Sequence, residues 1–183
     1  GLVLDRTAFY PGGGGQPPDT GLIRHEDLEY RVISMRKDGE RILHIIGQHE
    51  LSEGQRVRGV IDWERRYRIM RLHTSLHVIS ALLFKETGAK ITGNAIKEDK
   101  ARVDFNLERF ERSLMEGIVE RANEVVKEGR PVRIRFTSWE EVKQMPEVMR
   151  VAEHLYGKIK GPLRLVEIEG VDLQLDGGTH VAN

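Results

Sequence analysis

Two groups of histidines that lie far apart in the sequence could together bind a metal ion. His73 and His77 are four positions apart, a spacing that places two imidazoles on one face of a helix, one turn from each other. Asp176 and His180 flank a Gly-Gly-Thr sequence near the end of the chain, and these glycines allow a close approach of the backbone to a metal. Imidazole and carboxylate groups are usual zinc ligands, so these residues raise the hypothesis of a zinc site that supports hydrolysis.

Two alternatives stay open for this motif. Histidines beside the apolar face of a helix are often buried by ordinary packing, and Asp176 could orient a histidine instead of binding the metal. In that case three histidines and water would still leave an open catalytic geometry. No glutamate lies between His73 and His77, so the zinc-protease motif with its built-in general base is absent and peptide hydrolysis is disfavoured.

Thr74 carries a hydroxyl next to the first histidine. One interpretation is a hydrogen bond to a substrate hydroxyl. The other is a position on the helix surface, or a local bond to the backbone of the preceding turn.

A run of glycines near the start of the chain needs its own explanation. Gly12 to Gly15 are followed by Gln16 and two prolines, so the run is not a phosphate-binding P-loop, which continues with Gly-Lys-Ser/Thr into a helix. Glycines are costly to order on folding. The run is therefore either a wide turn between strands or a loop whose backbone approaches a ligand, with the Gln16 amide in contact with that ligand.

The elements that would position these groups differ between the two parts of the chain. Up to residue 62, short apolar runs alternate with turn residues, and Asp38-Gly39 is a hairpin turn signal. This pattern predicts a small barrel or sandwich. The predicted strands are Leu2 to Leu4, Leu28 to Met35, Ile42 to Ile46 and Val57 to Ile61.

From Trp63 to about Glu86 the apolar residues follow a helical rhythm, which predicts that His73 and His77 face inward. Gly88 is placed to end this helix. The segment from Asp172 to His180 reads as turn-rich. Further predicted features are strands at Lys90 to Ile96, Ala101 to Phe105, Val132 to Phe136 and Leu163 to Ile168, a helix capped by Asn106 with Phe110 on its apolar face, and a short helix capped by Ser138.

We therefore predict an α+β protein with two packed domains. Residues 1–62 would form a small β-barrel domain with the glycine-rich loop, and residues 63–183 an α/β metal-binding domain with an antiparallel sheet and helices. The chain has no cysteine, which fits a reducing compartment, and no apolar stretch long enough for a membrane span. We expect a cytoplasmic protein without a membrane partner.

Taken together and in order, four motifs resemble a known family. The chain contains Phe-Tyr-Pro-Gly-Gly-Gly-Gly-Gln-Pro-Pro-Asp-Thr-Gly, His-x-x-x-His, the strand pair at Thr92 to Ile96 and Lys100 to Phe105, and the C-terminal Gly-Gly-Thr-His. This order resembles the editing domain of alanyl-tRNA synthetase, and most closely the free-standing AlaX proteins of medium length, which carry an N-terminal barrel. The resemblance runs from about Asp5 to the last residue.

The resemblance implies a deacylase that hydrolyses the ester of mischarged tRNA(Ala), chiefly Ser-tRNA(Ala) and in some members Gly-tRNA(Ala). It implies one zinc ion per chain, with His73, His77 and His180 as ligands. Asp176 stands where many members have cysteine, and we include it as the fourth ligand. An apolar synthetase pocket rejects an added hydroxyl only weakly, whereas a site that hydrogen-bonds the hydroxyl selects it strongly.

The resemblance also implies the other site residues and the partner. Thr74, with His73 and His77, would be catalytic, and the partner would be the acceptor end of mischarged tRNA(Ala). Net charge is zero, so tRNA would need a local cationic surface, for which Arg65, Arg66, Arg68 and Arg71 are candidates unless they form a solvated helix face. The substrate-binding set would be Gly13, Gly14, Gly15, Gln16, Asn94 and Arg71.

Several alternatives remain. The metal could activate water or hold the amino group of the substrate, and the protein could be a monomer or a homodimer. The chain could also be a non-catalytic zinc and RNA-binding module of a larger synthetase, or a zinc hydrolase that acts on a different ester or amide.

Overall fold

The computed structural model describes residues 1–148 and 159–183 and shows the predicted α+β class, with antiparallel sheets. The first sheet has the order β1-β4-β3-β2-β5. Its strands are β1 (Leu2–Val3), β2 (Gly21–His25), β3 (Leu28–Asp38), β4 (Arg41–Ile46) and β5 (Arg58–Ile61). Closure of this sheet into a barrel stays a prediction.

The hairpin of β3 and β4 confirms the Asp38-Gly39 turn. Asp38 pairs with Arg41 across the hairpin, and Gly39 has a φ of +60°, a value that glycine adopts without strain. Strand β2 was not predicted, because it offers only two apolar residues, Leu22 and Ile23, between Gly21 and a polar end. The sheet encloses a core of Phe9, Ile23, Val32, Met35 and Ile46.

Helix α1 (Trp63–Thr87) has the predicted bounds to within a residue. The Asp62 side chain caps its start by accepting a hydrogen bond from the Arg65 N–H at 3.2 Å. Gly88 ends the helix in the left-handed conformation and donates its N–H to Phe84 O. The apolar stripe packs on the hairpin of β6 (Ile91–Ile96) and β7 (Ala101–Phe105), so this face of α1 fixes the orientation of its two histidines.

The predicted cap of the second helix was wrong. Helix α2 (Arg112–Glu128) has Glu111 as its N-cap, and Phe110 is 71% exposed. Asn106 instead joins the ends of the β6–β7 hairpin, because its Oδ1 accepts from Lys90 N at 2.6 Å and its own N donates to Lys90 O at 3.1 Å. The Asn106 side chain is thus used in the hairpin, and α2 begins only at Arg112.

The second large sheet has the order β10-β9-β8, formed by β8 (Val132–Thr137), β9 (Leu163–Ile168) and β10 (Asp172–Leu175). Ser138 caps α3 (Trp139–Val142), as predicted, by accepting from the Glu141 N–H. The segment predicted as turn-rich is in part strand β10, whose alternating polar and apolar residues pair with β9. None of the described helices has the length and apolar character that crossing a lipid bilayer requires.

A buried ion pair attaches the glycine-rich loop to α1. The Asp19 side chain, 2% exposed, accepts from the Arg66 guanidinium, 12% exposed, in several hydrogen bonds. Asp19 also accepts from Tyr10 N at 2.6 Å, which closes the base of the loop. The position of the loop on the helix therefore depends on this pair.

We expect Asp19→Asn to lower the free energy of unfolding by about 3–5 kcal/mol, because it leaves the Arg66 charge buried without its counter-charge. Urea denaturation measures the loss. The control is Glu29→Gln, which breaks the exposed pair with Arg24 and should cost under about 1 kcal/mol. Equal losses for the two variants would show that the Asp19 pair does not anchor the loop.

Candidate metal centre

The four predicted metal ligands converge at one place in the structure. His73 and His77 project from α1, and Asp176 and His180 come from the segment after β10. One ligand atom of each of the four lies within 4.8 Å of those of the others. The three histidines are buried, so two motifs that are remote in sequence form a single polar cluster inside the protein.

Each of the three imidazoles has an oxygen atom within hydrogen-bonding distance of its Nδ1. The pairs are His73 with Gln16 Oε1 at 2.9 Å, His77 with Asp172 Oδ2 at 2.8 Å, and His180 with Thr74 Oγ1 at 3.1 Å. A carboxylate or amide oxygen can only accept, so in neutral His73 and His77 the proton lies on Nδ1 and the lone pair on Nε2. The Thr74 hydroxyl can either donate or accept, so it leaves the tautomer of His180 open.

The Nε2 atoms face Asp176. His73 Nε2 lies 3.5 Å and His77 Nε2 3.9 Å from Asp176 Oδ1, and His180 Nε2 lies 3.1 Å from Asp176 Oδ2. The Nε2 atoms of the three rings and a carboxylate therefore converge on one point, with the opposite ring nitrogens held by partners, and His73 and His77 present lone pairs there. This donor set fits a metal ion and is consistent with zinc.

Burial favours the neutral forms of His73 and His180, and the neutral form is the one that binds a metal. Burial lowers the pKa of His73 from 6.5 to about 3, against the opposing charge of Asp176 and reinforced by His180. The pKa of His180 is lowered for the same first reason. Burial by itself would raise the pKa of Asp176, but the His180 hydrogen bond and the neighbouring rings outweigh burial and lower it. The cluster is thus poised to bind a cation at neutral pH.

These shifts predict how the stability of the metal-free protein depends on pH. The unfolded chain protonates His73 below its ordinary pKa of 6.5, whereas the folded protein resists this until about pH 3. The unfolded state therefore binds more protons in this window, and the free energy of unfolding should fall as the pH is lowered from 6.5.

Urea denaturation of the protein in chelator, from neutral pH to about pH 5, measures this slope; the lower limit keeps most carboxylates ionised. His73→Asn should have a shallower slope than the unmodified chain. A stability that does not change over this range would contradict the prediction.

Thr74 is buried and points toward the cluster, so its helix-surface interpretation is wrong. Its Oγ1 lies against His180 Nδ1 and accepts from Val181 N at 3.3 Å. The local backbone bond is made by the neighbouring Ser75, whose hydroxyl donates to Arg71 O. A contact between Thr74 and a substrate stays a prediction.

A small cavity of about 90 Å³ opens beside the cluster. Leu76, Ile91 and Val103 provide its apolar wall, and the amides of Asn94 and Gln174 lie on its lining. The structure therefore places Asn94 next to the metal cluster, although its role in binding substrate stays a prediction.

The glycine-rich loop lies against the same cavity wall. Gly15 O accepts from Ile96 N at 2.9 Å, and a Cβ at Gly15 would overlap the Asn94 side chain. Gly13 and Gly14 are exposed in a tight turn, in which Gly13 and Gln16 exchange two backbone hydrogen bonds of 3.0 Å. Gly15 is thus the glycine of this loop that contacts a cavity residue directly.

The arginines of α1 lie outside this cavity. Arg71 is on the exposed face of the helix. Arg66 is held by Asp19, and Arg65 by Glu98 and Pro18 O. Contacts of these arginines with tRNA stay predictions.

Three residues that sequence reasoning missed support the cluster. Asp172 holds His77 and also accepts from Gln174 Nε2 at 2.9 Å. Arg164 donates to Asp176 O at 2.7 Å. The alternation of Asp172, Leu173, Gln174 and Leu175 was the signal that could have placed the two polar side chains on one face of a strand.

Comparisons with known proteins show which family the chain belongs to. A family model described as class II (A) tRNA synthetases matches residues 1–65. The "Alanyl-tRNA editing protein AlaX-M" of Methanosarcina acetivorans is 44% identical over 190 aligned positions, which cover 100% of this chain and 78% of that protein. The protein of the same name from Saccharolobus solfataricus is 43% identical and is covered to 77%.

A longer relative shows the same similarity over part of its length. "Alanine--tRNA ligase" of Thermoplasma acidophilum is 37% identical over 188 positions, which cover 100% of this chain and 21% of the ligase. The similarity to the shorter proteins is higher and spans most of their length. The chain thus belongs to the AlaX-M family of alanyl-tRNA editing proteins.

Proposed function

We propose that this protein is a trans-editing aminoacyl-tRNA deacylase that hydrolyses mischarged tRNA(Ala), chiefly Ser-tRNA(Ala) and secondarily Gly-tRNA(Ala). The observation that carries the proposal is the convergence of three imidazoles and a carboxylate beside a cavity with amide groups on its lining. The names of the AlaX-M relatives support the same reaction.

In this proposal one zinc ion per chain is held by His73, His77, Asp176 and His180. When bound, zinc would supply a Lewis acid at the ester, either toward the carbonyl and water or toward the amino group of the substrate. Burial lowers the pKa of His73 and of His180, and partners at Nδ1 fix the orientation of all three rings. His73 and His77 thus have roles in catalysis as ligands.

The cavity supports selection of a small aminoacyl group. It is small, with a volume of about 90 Å³. The Asn94 amide can hydrogen-bond a seryl hydroxyl beside the apolar side chains of Leu76, Ile91 and Val103. A polar group of the site that needs a hydrogen-bond partner strongly favours a substrate with a hydroxyl over one without it. We propose that Thr74, which contacts His180, takes part in catalysis beside this pocket.

The remaining predicted residues would contact the acceptor end of tRNA. The Gly13–Gly15 segment, positioned by Gln16, would form the wall nearest the terminal nucleotide. Arg71, on the exposed face of α1, would contact the phosphate backbone. We further propose that residues 1–62 form a barrel domain and residues 63–183 the editing domain.

A panel of charged tRNAs tests the function. The zinc-loaded protein should hydrolyse Ser-tRNA(Ala) fastest, Gly-tRNA(Ala) more slowly and Ala-tRNA(Ala) at the uncatalysed rate. Chelation should stop hydrolysis, and added zinc should restore it. Hydrolysis of simple amino-acid esters at the rate of Ser-tRNA(Ala) would instead support a general zinc esterase, and no hydrolysis of any substrate would support a non-catalytic module.

A further inference from the structure

The side chain of Gln16 leaves the glycine-rich loop and enters the metal cluster. The residue is 3% exposed, and its amide is engaged by the protein. Its Oε1 lies 2.9 Å from His73 Nδ1 and accepts from Thr179 N at 3.0 Å, while its Nε2 donates to Thr179 Oγ1 at 2.7 Å. One amide thus joins the N-terminal loop, α1 and the Gly-Gly-Thr-His turn.

The bond from Thr179 N fixes which end of the Gln16 amide faces His73. A backbone N–H can only donate, so the group that it meets must be the amide oxygen. The same oxygen lies at His73 Nδ1, which must therefore carry the proton. The lone pair of the neutral ring is then on Nε2, the atom that faces Asp176 at 3.5 Å.

The loop is built to hold Gln16 in this place. The exchanged backbone bonds of Gly13 and Gln16 close a tight turn. The Asp19–Arg66 pair attaches the base of the loop to α1, the helix that carries His73. On the other side, a Cβ at Gly178 would overlap His73 and come within 2.8 Å of Gln16 Oε1. Two glycine turns therefore enclose the His73–Gln16 bond.

We propose that Gln16 is a positioning residue for the metal site, which fixes the tautomer and ring orientation of His73 and secures the turn that carries His180. The inference rests on the metal site of the proposed function. The glycine-rich loop would then have two roles. It lines the substrate pocket, and it holds the Gln16 amide in contact with the metal ligand His73.

The experiment compares Gln16→Leu with Gln16→Glu. Leucine removes the amide, whereas glutamate keeps an oxygen for His73 and for Thr179 N. Zinc affinity is measured by competition with a chromophoric chelator, and the tautomer of His73 by the ¹⁵N chemical shifts of its ring in the metal-free protein. The His73 signal is assigned as the one missing from His73→Gln. Gln144→Leu, at an exposed glutamine, is the matched control.

We expect Gln16→Leu to weaken zinc binding by roughly 10–100-fold, as loss of an outer partner does, and to remove the preference for a proton on His73 Nδ1. Gln16→Glu should bind zinc at least as tightly as the unmodified chain and keep that preference. Gln144→Leu should match the unmodified chain in both measurements.

A folded Gln16→Leu with unchanged zinc affinity and an unchanged His73 pattern would overturn the proposal. If Gln16→Leu does not fold, Gln16→Asn decides by the same two measurements, because its amide is one methylene too short to reach His73. Neither measurement uses tRNA. Protein that behaves as expected here but does not deacylate Ser-tRNA(Ala) would refute the proposed function and leave this inference standing.

Discussion

Replacement of His180 with alanine should remove the bound metal and reduce kcat/KM for Ser-tRNA(Ala) by at least ~10³-fold, because several kcal/mol of electrostatic stabilisation depend on the metal. The side chain is fully buried, and its Nε2 lies 3.1 Å from Asp176 Oδ2. No other described imidazole is placed to replace it, since the rings of His73 and His77 already occupy the facing positions. His73→Ala should have the same effect.

The measurements are elemental analysis for zinc and a deacylation time course. His25→Ala is the control, because His25 belongs to the N-terminal sheet, its Nδ1 lies at Arg56 O, and it is not part of the metal cluster. Circular dichroism of each variant separates loss of the metal from loss of the fold. Full activity in both His180→Ala and His73→Ala would refute the assignment of these residues.

The first half of the site could be predicted from the sequence because it depends on local geometry. The helical rhythm around Ile69 and Leu76 fixed which face of α1 is buried, and His73 and His77 follow from that face. Gly88 ends the helix by a bond to the preceding turn, as predicted. Such features need only short-range physics, and the structure agrees with them.

The second half depended on contacts between remote residues, and the sequence carries few signs of these. The bond from His73 to Gln16 spans 57 positions, and that from His77 to Asp172 spans 95. The chemistry of an amide in a glycine loop indicated contact with some ligand but not with a buried histidine. The predicted helix cap at Asn106 was wrong because of another remote contact. The local sequence suited a cap, but the side chain bonds to Lys90 N in the β6–β7 hairpin instead.

The two carboxylate oxygens of Asp176 have different surroundings, and these indicate which oxygen would bind the metal. Oδ2 accepts from Gly178 N at 2.5 Å and lies against His180 Nε2, so it shapes the turn. Oδ1 faces His73 and His77 at 3.5 and 3.9 Å and is free to bind a cation. We therefore expect Asp176 to be a ligand through Oδ1.

This assignment predicts a ranking of variants in zinc affinity. Asp176→Asn should lower zinc affinity by more than the ~10–100-fold that loss of a ligand's hydrogen-bond partner costs, because it removes a ligand and its negative charge. Asp172→Asn is the matched control: it changes a buried carboxylate of the same type that contacts His77 Nδ1, and it should stay within that outer-partner range. Asp176→Cys should recover most of the affinity, since thiolate is a good zinc ligand.

The comparison separates a ligand from a neighbour by magnitude and by rescue. If Asp176 only oriented the histidines, Asp176→Asn and Asp172→Asn would lose similar affinity, and cysteine at position 176 would bind no better than asparagine. Cobalt in place of zinc gives an independent signal, because a sulfur ligand produces a thiolate charge-transfer band that only a bound Cys at 176 can supply, the chain having no other cysteine. Its appearance would place the residue-176 side chain on the metal, and its absence in a cobalt-loaded Asp176→Cys protein would remove Asp176 from the ligand set.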